Sequence, residues 1–363
     1  MRVGLLIYGS LHARSGGFEY DRRLVEHLRR SGDDVEVISL PWRSYPALLA
    51  QNFSPILFRI ARTHRFDLLL QDELNHPSLF LANPTLKKRI GCPVICLVHH
   101  LRCREPHPDM LRRFYCRVER QYLRTVDAFV FNSRSTQRSV AALIGSLPEF
   151  VIATPGGDRL GAMADEKQIV DRVLADGPLR LLFIGNLVPR KGLLELLTAL
   201  EKIRKDPWRL EVVGAGDFDA AYAARIRRRL HAARLRNRVR VRGTLPDADL
   251  RQLLRTCHVL VMPFAYEGFG IVFLEAMAYG LPSLVLREGG AVEIVRDGRE
   301  GYCFEPGDTS TVAARLHRLI HDRHELLRLS LNARRRFDSF PGWDRTVANI
   351  RRFLLDRVPG SRA

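Results

Sequence analysis

The run Glu267-Gly268-Phe269-Gly270-Ile271-Val272-Phe273-Leu274-Glu275-Ala276 sets two acids around two glycines. Carboxylates accept hydrogen bonds well from sugar hydroxyls. Glycines let a backbone approach a ligand closely, and the amides at the start of a helix seat a diphosphate. With a helix starting near Gly270, Glu267 precedes it and Glu275 lies one to two turns along. One acid can then reach a hexose and the other a ribose, with phosphates between them. Lys191, in Phe183-Ile184-Gly185-Asn186-Leu187-Val188-Pro189-Arg190-Lys191-Gly192, sits where a helix begins. That is the wrong end of a helix dipole for a cation, but a good place to neutralise charge on a departing diphosphate. Arg190 beside it offers a second charge. Taken singly, these residues also suit blander roles: a capping acid, a solvated helix residue, a surface lysine.

Other residues follow strand-like runs in the same way. Gly16-Gly17 comes after the first apolar run and leads into a helix, which on its own means only a turn. His99 ends another run, where a histidine can be purely structural. Gly214-Ala215-Gly216 lacks the third glycine and downstream acid of a dinucleotide fingerprint. The chain contains no GxSxG, HExxH or GxxxxGK[ST] motif.

The elements that must position these residues read as alternating strands and helices, the rhythm of parallel sheets covered by helices. Strands are expected near Val3–Tyr8, Val35–Leu40, Asp67–Gln71, Pro93–Val98, Asp127–Phe131 and Phe150–Ala153. A second set is expected near Arg180–Ile184, Arg209–Val213, Arg238–Arg242, His258–Met262, Pro282–Leu286 and Tyr302–Glu305. A glycine-containing gap between Gly157 and Pro178 separates the sets and marks a domain boundary. The expected organisation is a first domain over 1–165, a second over 178–340, and a C-terminal helix over 341–363 packing back on the first, with Pro341 in its first turn. Two doubly wound domains facing across a cleft bind ligands beyond the C-terminal ends of their strands.

The chain has 363 residues, 46% of them hydrophobic, and a formal net charge of +18. That excludes disordered, collagenous and disulfide-scaffold classes. No segment reads as an export signal or approaches the ~20 apolar residues of a membrane helix, so a cytoplasmic protein is expected. Cys92, Cys96, Cys103 and Cys116 lie near His99, His100 and His107. Their spacing is not that of a zinc site, and reduced, mostly buried thiols are expected.

Glu267-x7-Glu275, within EGFGIVFLEAMAYGLP, resembles the signature of the retaining glycosyltransferases of family 4, which adopt the GT-B fold. The loop from Phe183 to Gly192 resembles that family's donor-phosphate loop, with Asn186 where the family usually carries an arginine. Val98-His99-His100 resembles its acceptor-domain histidine, and Thr154-Pro155-Gly156-Gly157-Asp158 its exit from the first domain. Gly289-Gly290-Ala291-Val292-Glu293-Ile294-Val295 and Asp297-Gly298 continue the pattern. The resemblance covers most of the chain and is densest from Leu181 to Pro306. It implies sugar transfer from a UDP- or GDP-sugar to a glycan or lipid-linked hydroxyl, with retained anomeric configuration and no metal or other cofactor. It implies catalytic roles for Glu267, Lys191 and His99. Donor binding would fall to Gly16, Gly17, Arg190, Lys191, Gly268, Phe269, Gly270 and Glu275.

Two arginine-rich stretches remain. Arg102, Arg104, Arg112, Arg113, Arg117, Arg120 and Arg124 interleave with Leu111, Phe114, Tyr115 and Leu123, which suits either an anionic bilayer or a solvated face whose arginine stems cover the core. Arg225, Arg227, Arg228, Arg229, Arg234, Arg236, Arg238, Arg240 and Arg242 form the second. No helix-turn-helix, zinc-finger or RNA-recognition motif accompanies it, so no specific nucleic-acid partner is expected. A nucleotide-sugar epimerase and a glycan phosphorylase are the alternatives on the same architecture.

Overall fold

The computed structural model describes residues 1–13, 15–55, 57, 65–161, 163–217, 219–232 and 235–358. Arg234 of the second arginine-rich stretch lies outside them. The chain divides into two compact units, Met1–Pro155 with Pro341–Ala363, and Gly156–Phe340.

The first unit holds one six-stranded sheet: β1 (Arg2–Tyr8), β2 (Asp34–Leu40), β3 (Leu68–Asp72), β4 (Val94–Val98), β5 (Ala128–Phe131) and β6 (Glu149–Ile152). The order is β2-β1-β3-β4-β5-β6, and every neighbouring pair is parallel. β3, β4 and β5 are buried at every position. Covered on both faces, β4 and β5 are apolar throughout and β3 is apolar up to Leu70, so they appear in the sequence as apolar runs, with buried Gln71 and Asp72 closing β3. β6, at the edge, is exposed or half-buried along its length.

The C-terminal helix Trp343–Leu355 belongs to this unit. Arg351 Nε reaches Asp33 at 2.7 Å, Thr346 Oγ1 donates to the Thr154 carbonyl at 2.6 Å, and the Trp343 ring meets Tyr20 edge-on at 5.7 Å. Pro341 lies outside the helix, ahead of its N-cap Gly342; the first turn is instead held by Thr346 Oγ1 on the Gly342 carbonyl.

The second unit repeats the plan with β7 (Leu179–Ile184), β8 (Trp208–Val213), β9 (Val239–Gly243), β10 (Val259–Met262), β11 (Ser283–Leu286) and β12 (Gly301–Phe304), in the order β12-β11-β10-β7-β8-β9. These pairs too are parallel. All twelve strands fall within about two residues of where the apolar runs place them. The boundary does not: the unit begins at Gly156, not beyond 165. The segment expected to be a linker contains the helix Glu166–Leu174, closed by a reciprocal Asp165–Gln168 capping box. Its Ile169 and Val173 are fully buried in the second core. The flanking glycines masked a nine-residue helix whose apolar face is only two residues wide.

In each sheet the strand order reverses once, between β1 and β3 and between β7 and β10. Loops leaving such a pair splay apart and open a crevice at the strands' C-terminal ends.

Candidate active-site residues in the two units

In the second unit, the loop after β7 and the loop after β10 flank the reversal. Lys191 closes the short 3-10 turn Pro189–Lys191, and Gly192 follows in left-handed backbone with φ +69°. A Cβ on Gly192 would come within 2.4 Å of Phe264 Cβ, so only glycine lets the two loops touch. Gly185 clears a trough for the lysine stem: a Cβ there would sit 3.3 Å from Lys191 Cδ. Lys191 Nζ then donates to Glu267 Oε1, with both side chains largely withdrawn from solvent.

Glu267 is held from behind. Gly290 N–H donates to the Glu267 carbonyl at 2.8 Å. A Cβ on Gly289 would lie 2.3 Å from that oxygen, and one on Gly290 would lie 2.2 Å from the Gly268 carbonyl. The Gly289-Gly290 pair therefore exists so that two loop backbones can press together. Gly268 and Gly270 lead into the helix Ile271–Ala278, with Gly270 as a left-handed N-cap at φ +94°. The N-cap of this helix is Gly270, and the Glu267 carboxylate meets Lys191.

Glu275 is 5% exposed, so it is not a solvated helix residue. Its Oε1 accepts from Arg159 Nε at 2.8 Å, and Arg159 Nη1 reaches Asp247 Oδ1 at 2.7 Å. Burial works against charge on Arg159, but Glu275 and Asp247 more than offset it and keep the guanidinium firmly protonated. Sequence reasoning missed Arg159. A glycine two residues earlier lets the chain approach, since a Cβ on Gly157 would come within 2.5 Å of Leu274 Cβ. Phe269 is corrected in part: its side chain is 2% exposed and lies in the core, so only its backbone can face a ligand. Arg190 sits half-buried beside Lys191 in the same turn. Asn186, where the family pattern carries an arginine, accepts a hydrogen bond from Ala215 N–H at 3.3 Å, tying this loop to the one after β8.

In the first unit, Gly16 and Gly17 are the first two residues of the helix Gly16–Arg30, capped by Ser15. A Cβ on Gly17 would lie 3.1 Å from His99 Cδ2, so the imidazole rests against the first helical turn. His99 Nε2 lies 3.0 Å from Asp21 Oδ1 one turn further on, and Asn132 Nδ2 donates to the His99 carbonyl at 2.9 Å. Burial disfavours the imidazolium, but Asp21, with Asp72 and Glu73 behind it, lifts the His99 pKa to about 9. His100 faces elsewhere, toward Glu105 at 3.0 Å. All six cysteines are free thiols, five of them buried.

Two units, each a six-stranded parallel sheet with one strand-order reversal and loops built for close approach, make this an α/β chain of the GT-B class. Residues 165–336 match the family of glycosyl transferases group 1, and residues 18–157 match the glycosyl transferase 4-like domain. The chain belongs to these GT-B glycosyltransferases. It is 32% identical over 251 residues to the uncharacterized glycosyltransferase YqgM of Bacillus subtilis, a stretch covering 66% of this chain and 64% of that relative. The match thus spans less than two thirds of the relative's length. Its fold resembles sucrose-phosphate synthase from Thermosynechococcus elongatus, with a TM-score of 0.84, 19% identity and 98% of each chain covered. It also resembles Anabaena HepE in complex with UDP-glucose, with a TM-score of 0.78, 19% identity, and 98% of this chain and 100% of that one covered.

Proposed function

We propose that the chain transfers a sugar from a nucleotide-diphosphate donor to an acceptor hydroxyl with retention at the anomeric carbon. The observation that carries this reading is the Lys191–Glu267 pair at the β7/β10 reversal, beside Gly268–Gly270 and a helix start. The bond from the anomeric carbon to the diphosphate oxygen breaks, and the electron pair leaves with the diphosphate. Lys191, Arg190 and the amides near Gly270 stabilise that charge. The acceptor oxygen bonds to the same face of an oxocarbenium-like sugar, and its proton passes to the departing phosphate oxygen. Glu267 orients the sugar, Glu275 the ribose, and positioning supplies much of the rate. In the first unit, His99 contacts the transferred sugar and Gly16-Gly17 leave room for the phosphates.

The reaction needs no metal, so its test is run with chelator present. A thermal-shift screen of nucleotide sugars should raise the melting temperature with at least one, because a ligand at 100 times its Kd adds about 2.7 kcal/mol to a state that alone binds it. HepE's complex with UDP-glucose makes UDP-sugars the first to try. Product analysis should then show net transfer with the donor's anomeric configuration kept. An isomerised donor or a released sugar phosphate would contradict the reading, as would stabilisation that appears only when a divalent ion is restored.

The acceptor is a glycan or lipid-linked hydroxyl. A particular surface supports contact with anionic membrane: the helix Asp109–Leu123 exposes Met110 (86%), Phe114 (43%) and Leu111 (39%) beside exposed Arg112, Arg113, Arg117 and Arg120. Apolar side chains among arginines suit the boundary of an anionic bilayer. No helix among the described residues is long and apolar enough to cross a membrane, so any contact through this surface is peripheral. The chain should sediment with vesicles containing phosphatidylserine and not with neutral ones. M110D/F114D should remove most of the bound fraction. Equal sedimentation of the double variant would exclude this face.

A further inference from the structure

The reversal in the first unit carries a buried acid pair that sugar transfer does not by itself require. Asp21 is 0% exposed and Asp72 1%, and polar atoms of Asp21, Asp72 and His99 all lie within 4.8 Å of one another. One Asp21 oxygen meets His99 Nε2. The other, Oδ2, is buried and receives no hydrogen bond from an N–H or hydroxyl group among the described residues. Asp72 Oδ1 already accepts the Leu74 N–H at 2.9 Å. Two ionised carboxylates in such a space repel, so Asp72 keeps its proton up to about pH 7. Placed on Asp72, that proton supplies the donor that Asp21 Oδ2 lacks.

We propose that Asp21 is a positioning residue: it takes the Nε2–H of His99 on one oxygen and the Asp72 carboxyl proton on the other, and so holds His99 as a cation whose Nδ1–H is its remaining donor. Among the described residues the only side-chain or backbone hydrogen-bond partner of the imidazole is Asp21 at Nε2, and the side chain is 11% exposed. The ring is bounded on two sides. Gly17 bounds one side of it, and the Tyr20 ring meets it edge-on at 5.2 Å. Tyr20 is itself anchored by its hydroxyl on the Ala153 carbonyl at 2.8 Å. The groups that set the charge come from two elements: Asp21 on the first helix, and Asp72 and Glu73 at the end of β3. Burial first, then Asp21, raises the Asp72 pKa to about 7. Burial raises Glu73 to about 8, with Glu119 and His76 packed behind it. A cationic donor at this place would bind a hydroxyl or phosphate oxygen of the donor sugar, a role that rests on the transferase reading.

The test does not depend on finding the substrate. The full chain, labelled with 15N-histidine, is titrated by long-range 1H–15N NMR, with His99 identified by its loss in H99Q. His99 should titrate near pH 9 with Nε2 protonated throughout. In D21N the midpoint should fall by two pH units or more. In D72N it should fall clearly less than in D21N, because only the second carboxylate's charge is lost and the asparagine amide still offers Asp21 Oδ2 a donor. A midpoint near 6.5 in the unsubstituted chain, no change in D21N, or an equal fall in D72N would each overturn the proposal. Should D21N fail to fold, the unsubstituted chain and D72N still decide it. Failure of the nucleotide-sugar screen would leave these midpoints untouched, so the two readings fail separately.

Discussion

Lys191→Ala should lower turnover by about 10²–10³-fold, the loss expected when one group stabilising transition-state charge is removed. The side chain arises from a short turn and its ammonium meets Glu267, so its place in the structure is at the site and not in the core. The variant should therefore keep its melting temperature within a few degrees. Glu267→Ala should cut turnover strongly as well, since on the proposed reading Glu267 orients the sugar and holds Lys191. The two losses should not add, because either change dissolves one pair. Steady-state rates on whichever nucleotide sugar stabilises the chain, measured beside thermal melts, provide the check. Unchanged turnover in a folded Lys191→Ala chain would remove the phosphate-neutralising role.

Glu275→Ala should weaken nucleotide binding about 10- to 100-fold by calorimetry, corresponding to the ~1.5–3 kcal/mol of a hydrogen bond to a charged group. It should also destabilise the second unit, since Arg159 keeps only Asp247, whose carboxyl is more than half exposed. Glu275→Gln separates the two effects. The glutamine keeps an oxygen for Arg159 and a polar group for the ribose, so most of the stability should return with an intermediate affinity. Nucleotide affinity unchanged in Glu275→Ala would show that this acid serves only Arg159.

The strands were legible because strands covered on both faces are mostly apolar: β4 and β10 are apolar at every position, and β3 is so until it ends in Gln71 and Asp72. The Lys191 and Glu267 loops were legible because their glycines and charges sit at the ends of such runs. What could not be read was which side chains meet across long separations. Arg159 lies 116 residues before Glu275, and Asp21 lies 78 before His99; no local periodicity links either pair. The direction in which Phe269 points was also hidden, since a left-handed Gly270 turns the chain just after it. The helix Glu166–Leu174 was obscured because glycines on both sides mimic a linker.

The loops after β7, β8, β10 and β11 are joined main chain to main chain. A Cβ on Gly214 would lie 2.0 Å from the Gly185 carbonyl, as one on Gly289 or Gly290 would crowd the carbonyls of Glu267 and Gly268. The skeleton of these loops is thus nearly independent of the surrounding side chains. Descendants of such a chain can exchange those side chains, and on the proposed reading acquire a taste for a new sugar or base, while the loop backbones stay still. Gly214, Gly289 and Gly290 themselves have no such latitude, because even a methyl group would prise the loops apart.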